Sequence, residues 1–217
     1  MNNKRIQLRR KEGVTQLPLH ICFMLSSEDF KSSSKRICDI VQWATHFTTD
    51  INIQGSPGIQ KITFHLHSIT NAGEVVSQLS CITEFAPCIL YTAEGRVLPY
   101  EIGIKVDSRS YHPSAPEIII VAGVSGRQEI ADTLEILARK GTQSQELTEQ
   151  LFAMNLRFPD SPDLVIKTRE KNLVDFMIWQ TAYSELYFTQ APLAAFTQHE
   201  FKRALLDYQS RTRKFGK

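Results

Sequence analysis

Apolar residues gather in five short runs along the chain, at positions 21–25, 62–66, 88–91, 118–121 and 164–166. Ile118-Ile119-Ile120-Val121 shows no polar alternation, and an unbroken run of that length marks a strand buried on both faces, as in a parallel sheet. Between the runs the period becomes helical. Ile37, Ile40, Val41 and Ala44 share one face, as do Val75, Val76, Leu79 and Ile82, and then Ile130, Leu134 and Leu137. Strand then helix, repeated, predicts right-handed crossovers and an α/β fold, a single-domain parallel sheet flanked by helices. The last third reads as more helical, with 173–187 rich in apolar and aromatic residues. Thr197-Gln198-His199-Glu200 has the form of a capping box, flanked by Phe196 and Phe201 as a hydrophobic staple, so a final helix is expected from about Gln198 to about Ser210. Turn formers at 48–58 and 106–113 predict flexible loops there.

Composition bounds this picture. A chain of 217 residues, 42% hydrophobic and 22% charged, is long enough for one sizeable core. We expect a domain over 17–217 behind a basic arm, 1–16. No segment reaches the ~18 apolar residues that span a bilayer, and no apolar run of signal length follows the first bases, so a cytoplasmic, unprocessed protein is expected. Cys22, Cys38, Cys81 and Cys88 form no Cys-x-x-Cys pair, which favours reduced thiols over a disulfide framework or structural zinc. Charge is uneven: residues 1–13 carry five bases and one acid, and 200–217 carry six bases and two acids. Such ends suit a peripheral contact with anionic lipid or a phosphorylated ligand. A nucleic-acid-binding role ranks last, because no recognised module and no interleaving of aromatic and basic residues is present.

The chemistry is carried by longer motifs. The C-terminal part reads Pro162-Asp163-Leu164-Val165-Ile166-Lys167-Thr168, then Phe176-Met177-Ile178-Trp179-Gln180-Thr181-Ala182-Tyr183-Ser184-Glu185-Leu186-Tyr187-Phe188, and closes on Arg213-Lys214-Phe215-Gly216. This resembles the cis-prenyltransferase (undecaprenyl diphosphate synthase-like) family, whose pattern runs P-x-D-L-V-I-R-T, F-L-L-W-Q-x-A-Y-x-E-L-Y-F and R-R-F-G. Gly126-Arg127-Gln128-Glu129-Ile130 is similar to the family's N-Y-G-G-R-x-E-I, with Gly123, Val124 and Ser125 replacing its first residues. The resemblance implies a parallel sheet, a tunnel for a growing isoprenoid chain, dimerisation through the C-terminal part, and magnesium as the cofactor of an active member. In such enzymes isopentenyl diphosphate adds to an allylic diphosphate, and neutralising the leaving diphosphate drives the reaction.

The sequence departs from the family where diphosphate and metal are held. The first strand of a family enzyme ends in H-x-x-x-x-M-D-G-N-G-R-W; aligned on His20, this chain has Ser26 at the Asp position and Ser27-Glu28-Asp29-Phe30-Lys31 beyond it. Ser26 neither holds a cation as a carboxylate does nor opens the backbone as glycine does, so no residue is assigned a catalytic role. Glu28 or Asp29 would have to supply the acid from a shifted position, which a magnesium site tolerates poorly. The family's R-T-x-G-E-x-R-x-S-N-F becomes Lys167-Thr168-Arg169-Glu170-Lys171-Asn172-Leu173-Val174-Asp175-Phe176, one residue shorter, with an ammonium where a guanidinium fork is usual.

What the resemblance leaves as substrate-binding candidates is Arg127, Lys167, Arg169, Ser68, Asn71 and the tail's Arg213. Glu185 matches the family carboxylate that assists metal binding, often from across the dimer. His65 and His67 share a strand face but lack a third ligand. Two functions follow as expectations, the first preferred because the carboxylate, the glycine cradle and much of the arginine set that face the diphosphates are lost. One is an accessory, non-catalytic subunit that pairs as a homodimer, or as a heterodimer with a cis-prenyltransferase homologue, and lends its tail. The other is an active or repurposed prenyltransferase or cyclase acting on an allylic isoprenoid diphosphate.

Overall fold

The structure is a computed structural model and describes residues 17–52, 57–66, 75, 86–92, 95–98, 111–169 and 176–211. Its elements are β1 (His20–Leu25), α1 (Ser27–Asn52), β2 (Lys61–Leu66), β3 (Cys88–Thr92), β4 (Gly95–Val97), β5 (Glu117–Ala122), α2 (Gly126–Arg139), α3 (Glu149–Met154), β6 (Leu164–Lys167), β7 (Glu185–Phe188), a 3-10 turn (Leu193–Ala195) and α4 (Gln198–Ser210). The strands form one sheet in the order β4-β3-β5-β2-β1-β6-β7. Every pairing is parallel except β3 with β4. The five apolar runs are thus five strands of the sheet, each within a residue or so of its expected bounds.

Period-2 geometry sends alternate side chains to opposite faces, and both faces are covered. Ile21, Phe23 and Leu25 of β1 join Ile62, Phe64, Ile118, Ile120, Leu164 and Ile166 in a cluster with Ile37, Ile40, Val41 and Ala44 of α1 and Phe201, Ala204 and Leu205 of α4. Phe23 anchors it, its ring 5.5 Å from Phe64, 5.7 Å from Phe196 and 6.0 Å from Phe201. The opposite face carries Ile119 and Val121 against Phe158 and Met177, and Cys22, Met24 and Val165 against Phe176 and Leu186. Outside these, Leu137 of α2 packs with Phe152 of α3, and Trp179 leans on Phe152 at 4.4 Å.

The final helix begins as expected. Thr197 accepts a hydrogen bond from the Glu200 N–H, and the staple residues Phe196 and Phe201 are both fully buried. Glu200 turns its carboxylate to Arg203 instead, at 2.9 Å, so only half of the box is closed.

Three expectations change. Within 173–187 the described part is not helical: 178–183 are turns, and Glu185–Phe188 is an edge strand beside β6. Its apolar residues look helical in spacing because one part caps the sheet's second face while the rest lies in the sheet. Thr48 to Asn52 belong to α1, not to a loop. Thr48 then holds the following turn, accepting from the Ile59 N–H at 3.0 Å, with Gly58 packed so closely that a Cβ there would meet Thr48 at 2.5 Å. Cys22 and Cys88 are free and buried, and burial pushes both thiols up to about 12. Cys38 is disulfide-bonded, against the expectation of reduced thiols throughout. The basic arm 1–16 and Val76, Leu79 and Ile82 lie outside the described residues.

The amino end of the sheet is tied by polar contacts that the family motif carries without advertising them. Asp163 accepts the N–H groups of Leu19 at 2.9 Å and His20 at 3.1 Å, stitching β6 to β1. His20 is buried, its Nε2 2.7 Å from the Thr63 hydroxyl. Burial lowers its pKa from 6.5 to about 4, with Asp160 pulling the other way. The folded state therefore holds fewer protons than the unfolded one between those values, and stability falls as pH drops through that window. Going from about pH 7.5 to about pH 5 should cost about 2 kcal/mol through this residue. Urea unfolding at the two pH values, repeated on His20→Gln, should show a shallower pH dependence in the variant.

Candidate functional site

In an open α/β sheet the crevice lies beyond the carboxyl ends of the strands, where chain connections leave for opposite faces. Here that point is between β1 and β6: β1 leads into α1 on one face, and the chain after β6 returns through Phe176 and Met177 on the other. Ser26 follows β1 directly, and Lys167, Thr168 and Arg169 end and follow β6. Gly123, Val124 and Ser125 stand at the same end of the sheet, after β5.

Each of these is fixed by local chemistry. Ser26 caps α1: its hydroxyl accepts from the Asp29 N–H at 3.1 Å, and its carbonyl accepts from Phe30. Asp29 is fully buried and accepts three hydrogen bonds, from Thr168 Oγ1 at 2.9 Å, Arg169 Nε at 2.8 Å and the Leu193 N–H at 3.0 Å. Burial works to raise the Asp29 pKa, but the Leu193 N–H and the donors of Arg169 and Thr168 outweigh it and hold the carboxyl below its ordinary value. Arg169 Nη1 also meets Glu28 Oε2 at 3.3 Å, and the Asp29 carboxylate keeps the guanidinium more firmly protonated than usual. Among the described residues Arg169 is the one non-glycine residue with positive φ, at 63°.

On the β5 side, Gly123 takes φ 68° and donates to the Leu66 carbonyl at 3.0 Å. His65 Nε2 lies 2.7 Å from the Val124 carbonyl oxygen, so this histidine ties β2 to the loop after β5. Ser125 caps α2 by accepting from the Gln128 N–H. Gly126 lies against the chain after β6 so tightly that a Cβ would come within 1.9 Å of the Phe176 carbonyl oxygen. Arg127 is exposed in the first turn of α2. Glu129, buried, accepts from the Phe158 N–H at 3.0 Å. Gln180 donates to the Phe158 carbonyl at 2.9 Å.

The structure thus brings Ser26, Lys167, Arg169 and Arg127, all singled out in the sequence, to one end of the sheet. Glu185 stands at the other end. It opens β7 and pairs in register with Leu164, whereas Lys167 pairs with Phe188. Three residues, roughly 10 Å of strand, separate them. Glu185 meets Arg211 at 2.9 Å, which in turn meets Asp207 at 2.7 Å. Ser68, Asn71, His67, Lys171, Asn172, Val174 and the tail from Arg213 to Gly216 lie outside the described residues. Asp29 as an anchor, and Asp163, Glu129 and Gln180 as braces, were missed as such; the one available signal was that an acid at the third helical position often serves the helix itself.

Magnesium can be tested against these donors. It needs several oxygen ligands in near-octahedral array. Ser26 Oγ is taken up in capping α1, Asp29 is buried against a guanidinium, and Glu28 faces the same guanidinium. Among the described residues no group of three or more His, Cys, Asp or Glu side chains is placed to hold a metal. The donor set of the described residues does not fit the ion. Nor, among those residues, is any helix long and apolar enough to cross a membrane.

Comparison with known proteins agrees with the geometry. The family described as "Putative undecaprenyl diphosphate synthase" matches residues 101–216. An isoprenyl transferase of Thermotoga maritima is 41% identical over 104 residues, which is 46% of this chain and only 45% of that protein. Isoprenyl transferase 1 of Corynebacterium efficiens is 30% identical over 90% of this chain and 83% of its own length. The crystal structure of lavandulyl diphosphate synthase from Lavandula x intermedia superposes with a TM-score of 0.65 at 20% identity, covering 93% of this chain and 99% of that one. A seven-stranded, mostly parallel sheet with this order, a motif matched over the C-terminal half and a relative matched along nearly the whole chain lead to one conclusion: the chain belongs to the cis-prenyltransferase family, typified by undecaprenyl diphosphate synthase.

Proposed function

We propose that this chain binds an allylic isoprenoid diphosphate at the carboxyl end of its sheet and takes part in prenyl transfer. The observation that carries this reading is that Lys167 and Arg169 end and follow β6 beside β1, while α2, with Arg127 in its first turn, starts after β5 at the same end of the sheet. Cations and helix-terminal N–H groups stabilise the charge that builds on a departing diphosphate, and they do so best when held in place before the reaction. Kinship with proteins named isoprenyl transferases along most of the chain supports transfer chemistry over a purely structural role. In this reading Lys167 and Arg169 meet the diphosphate of one substrate. Arg127 and the α2 amino end meet a second anionic group, and Ser68, Asn71 and Arg213 are assigned to substrate binding by the family resemblance alone.

A second reading has its own support. With Ser26 and Asp29 both committed to holding the fold, the chain lacks the acid that its relatives' pattern places after the first strand. The protein would then serve as an accessory subunit, in a homodimer or a heterodimer with a conventional homologue, with Glu185 or the Arg213 tail offered across the interface.

Prenyl transfer separates the two. The purified protein is given farnesyl diphosphate, labelled isopentenyl diphosphate and magnesium, with and without a conventional cis-prenyltransferase. We expect product from the protein alone, reduced by about tenfold or more in Lys167→Ala. Silence alone with altered products in the mixture would favour the accessory role, and silence in both would sink the transfer reading.

A further inference from the structure

Arg169 occupies a position that the family pattern leaves variable, yet among the described residues it is the non-glycine residue with a left-handed backbone. A left-handed arginine persists only where its surroundings over-determine it, and such residues gather at functional sites. The surroundings here are explicit: its N–H donates to the Ala191 carbonyl at 3.3 Å, its Nε to Asp29 at 2.8 Å and its Nη1 to Glu28 at 3.3 Å. The two acids differ in kind. The Asp29 side chain is 1% exposed and joins three segments, while that of Glu28 is 73% exposed and makes one contact at the limit of hydrogen bonding.

We infer that Asp29 is a positioning residue that holds Arg169 as the resident cation of this site, that Glu28 is a displaceable place-holder on its outer edge, and that diphosphate binding here needs no divalent metal. The inference rests on the diphosphate-binding reading above and deepens it. A guanidinium offers a planar fork that matches two phosphate oxygens, and it cannot lose its proton at any working pH. Tied on its Nε edge by a buried carboxylate, it loses little further freedom on meeting an anion. Glu28 presents the same oxygen chemistry as a phosphate with half the charge or less, so a diphosphate competes well for Nη1 and returns Glu28 to solvent. Lys167, two residues back at the end of β6, adds a second positive charge at the same end of the sheet. The arrangement reverses the usual logic, in which an acid holds a metal and the metal holds the diphosphate. Here the acid holds an arginine.

Calorimetric titration of the full chain with inorganic pyrophosphate, in EDTA and in magnesium, tests this directly. The expected result is a Kd that changes by less than about threefold between the two conditions. Arg169→Ala should weaken binding by about tenfold or more in EDTA. Glu28→Gln should tighten it about threefold with an unchanged melting temperature, a gain that a merely structural role for this network would not produce. Asp29→Asn should weaken binding as Arg169→Ala does, although the guanidinium is still present; if that variant does not fold, Glu28→Gln carries the test alone. Binding at least tenfold weaker in EDTA, or affinity unmoved by Glu28→Gln, overturns the inference while leaving the diphosphate reading standing. Absence of binding to pyrophosphate and to farnesyl diphosphate in both conditions overturns both.

Discussion

Gly126→Ala should destabilise the protein by about 4 kcal/mol, at the upper end of what inserting one methyl into a packed interior costs, because the obstacle is backbone and not a side chain that can turn aside. The added Cβ would lie 1.9 Å from the Phe176 carbonyl oxygen and 2.9 Å from the Met177 Cα. Either α2 retreats or the chain after β6 does. Either movement opens the second face of the sheet, where Met177 packs with Ile119, Val121, Val124 and Phe158. It also displaces the amino end of α2, so pyrophosphate affinity should fall together with the urea midpoint. A variant of wild-type stability would show that the close approach of α2 to Phe176 is not maintained in solution.

Asp29→Ala is expected to cost nearly as much, again about 4 kcal/mol, for a different reason. The substitution strands three donors at once, and hydrogen bonds to a charged acceptor contribute about 1.5–3 kcal/mol each before relaxation recovers part of the loss. Asn at this position keeps the shape and loses the charge, so Asp29→Asn should cost about 2 kcal/mol. The pH dependence distinguishes a charge effect from a packing effect. The folded-state pKa lies below the ordinary carboxylate value, so the acid's contribution is fully present above about pH 4 and is lost as pH falls through the folded value. The gap between wild type and Asp29→Asn should therefore be constant from neutral pH down to about pH 5 and narrow in stronger acid. A gap that persists unchanged at about pH 2 would mean that packing, not charge, is what Asp29 contributes.

The two variants also show why the site was only partly legible in the chain. Ser26, Lys167 and Arg127 were singled out by resemblance to the family's motifs, and it is the fold that sets them at one end of the sheet, because each ends or follows a parallel strand at its carboxyl end. Glu185 was grouped with them on the strength of its motif. Its strand, however, begins where β6 begins, so within one chain it stands at the opposite end with Arg211 for a partner. Asp29 was weighed as a replacement metal ligand. It is instead the anchor of a loop 140 positions away, and nothing near it in the chain announces Arg169 as its partner.

The division between what the amino-acid sequence determined and what the tertiary structure decided follows from the range of the forces involved. Buried strands, amphipathic helices and the start of α4 at Thr197 depend on neighbours a few residues apart, and apolar periodicity and cap chemistry record them directly. The long C-terminal motif likewise determined the family, because much of it is spent on packing: Asp163 on the first N–H groups of β1, Gln180 on the Phe158 carbonyl, Ser184 on the Pro162 carbonyl at 2.6 Å. Which acid meets which base was decided only by folding. Burial selects among carboxylates by the donors that a closed structure can bring to them, and three donors from β6's loop and the 3-10 turn made Asp29 a structural charge while leaving Glu28, one residue earlier, in water.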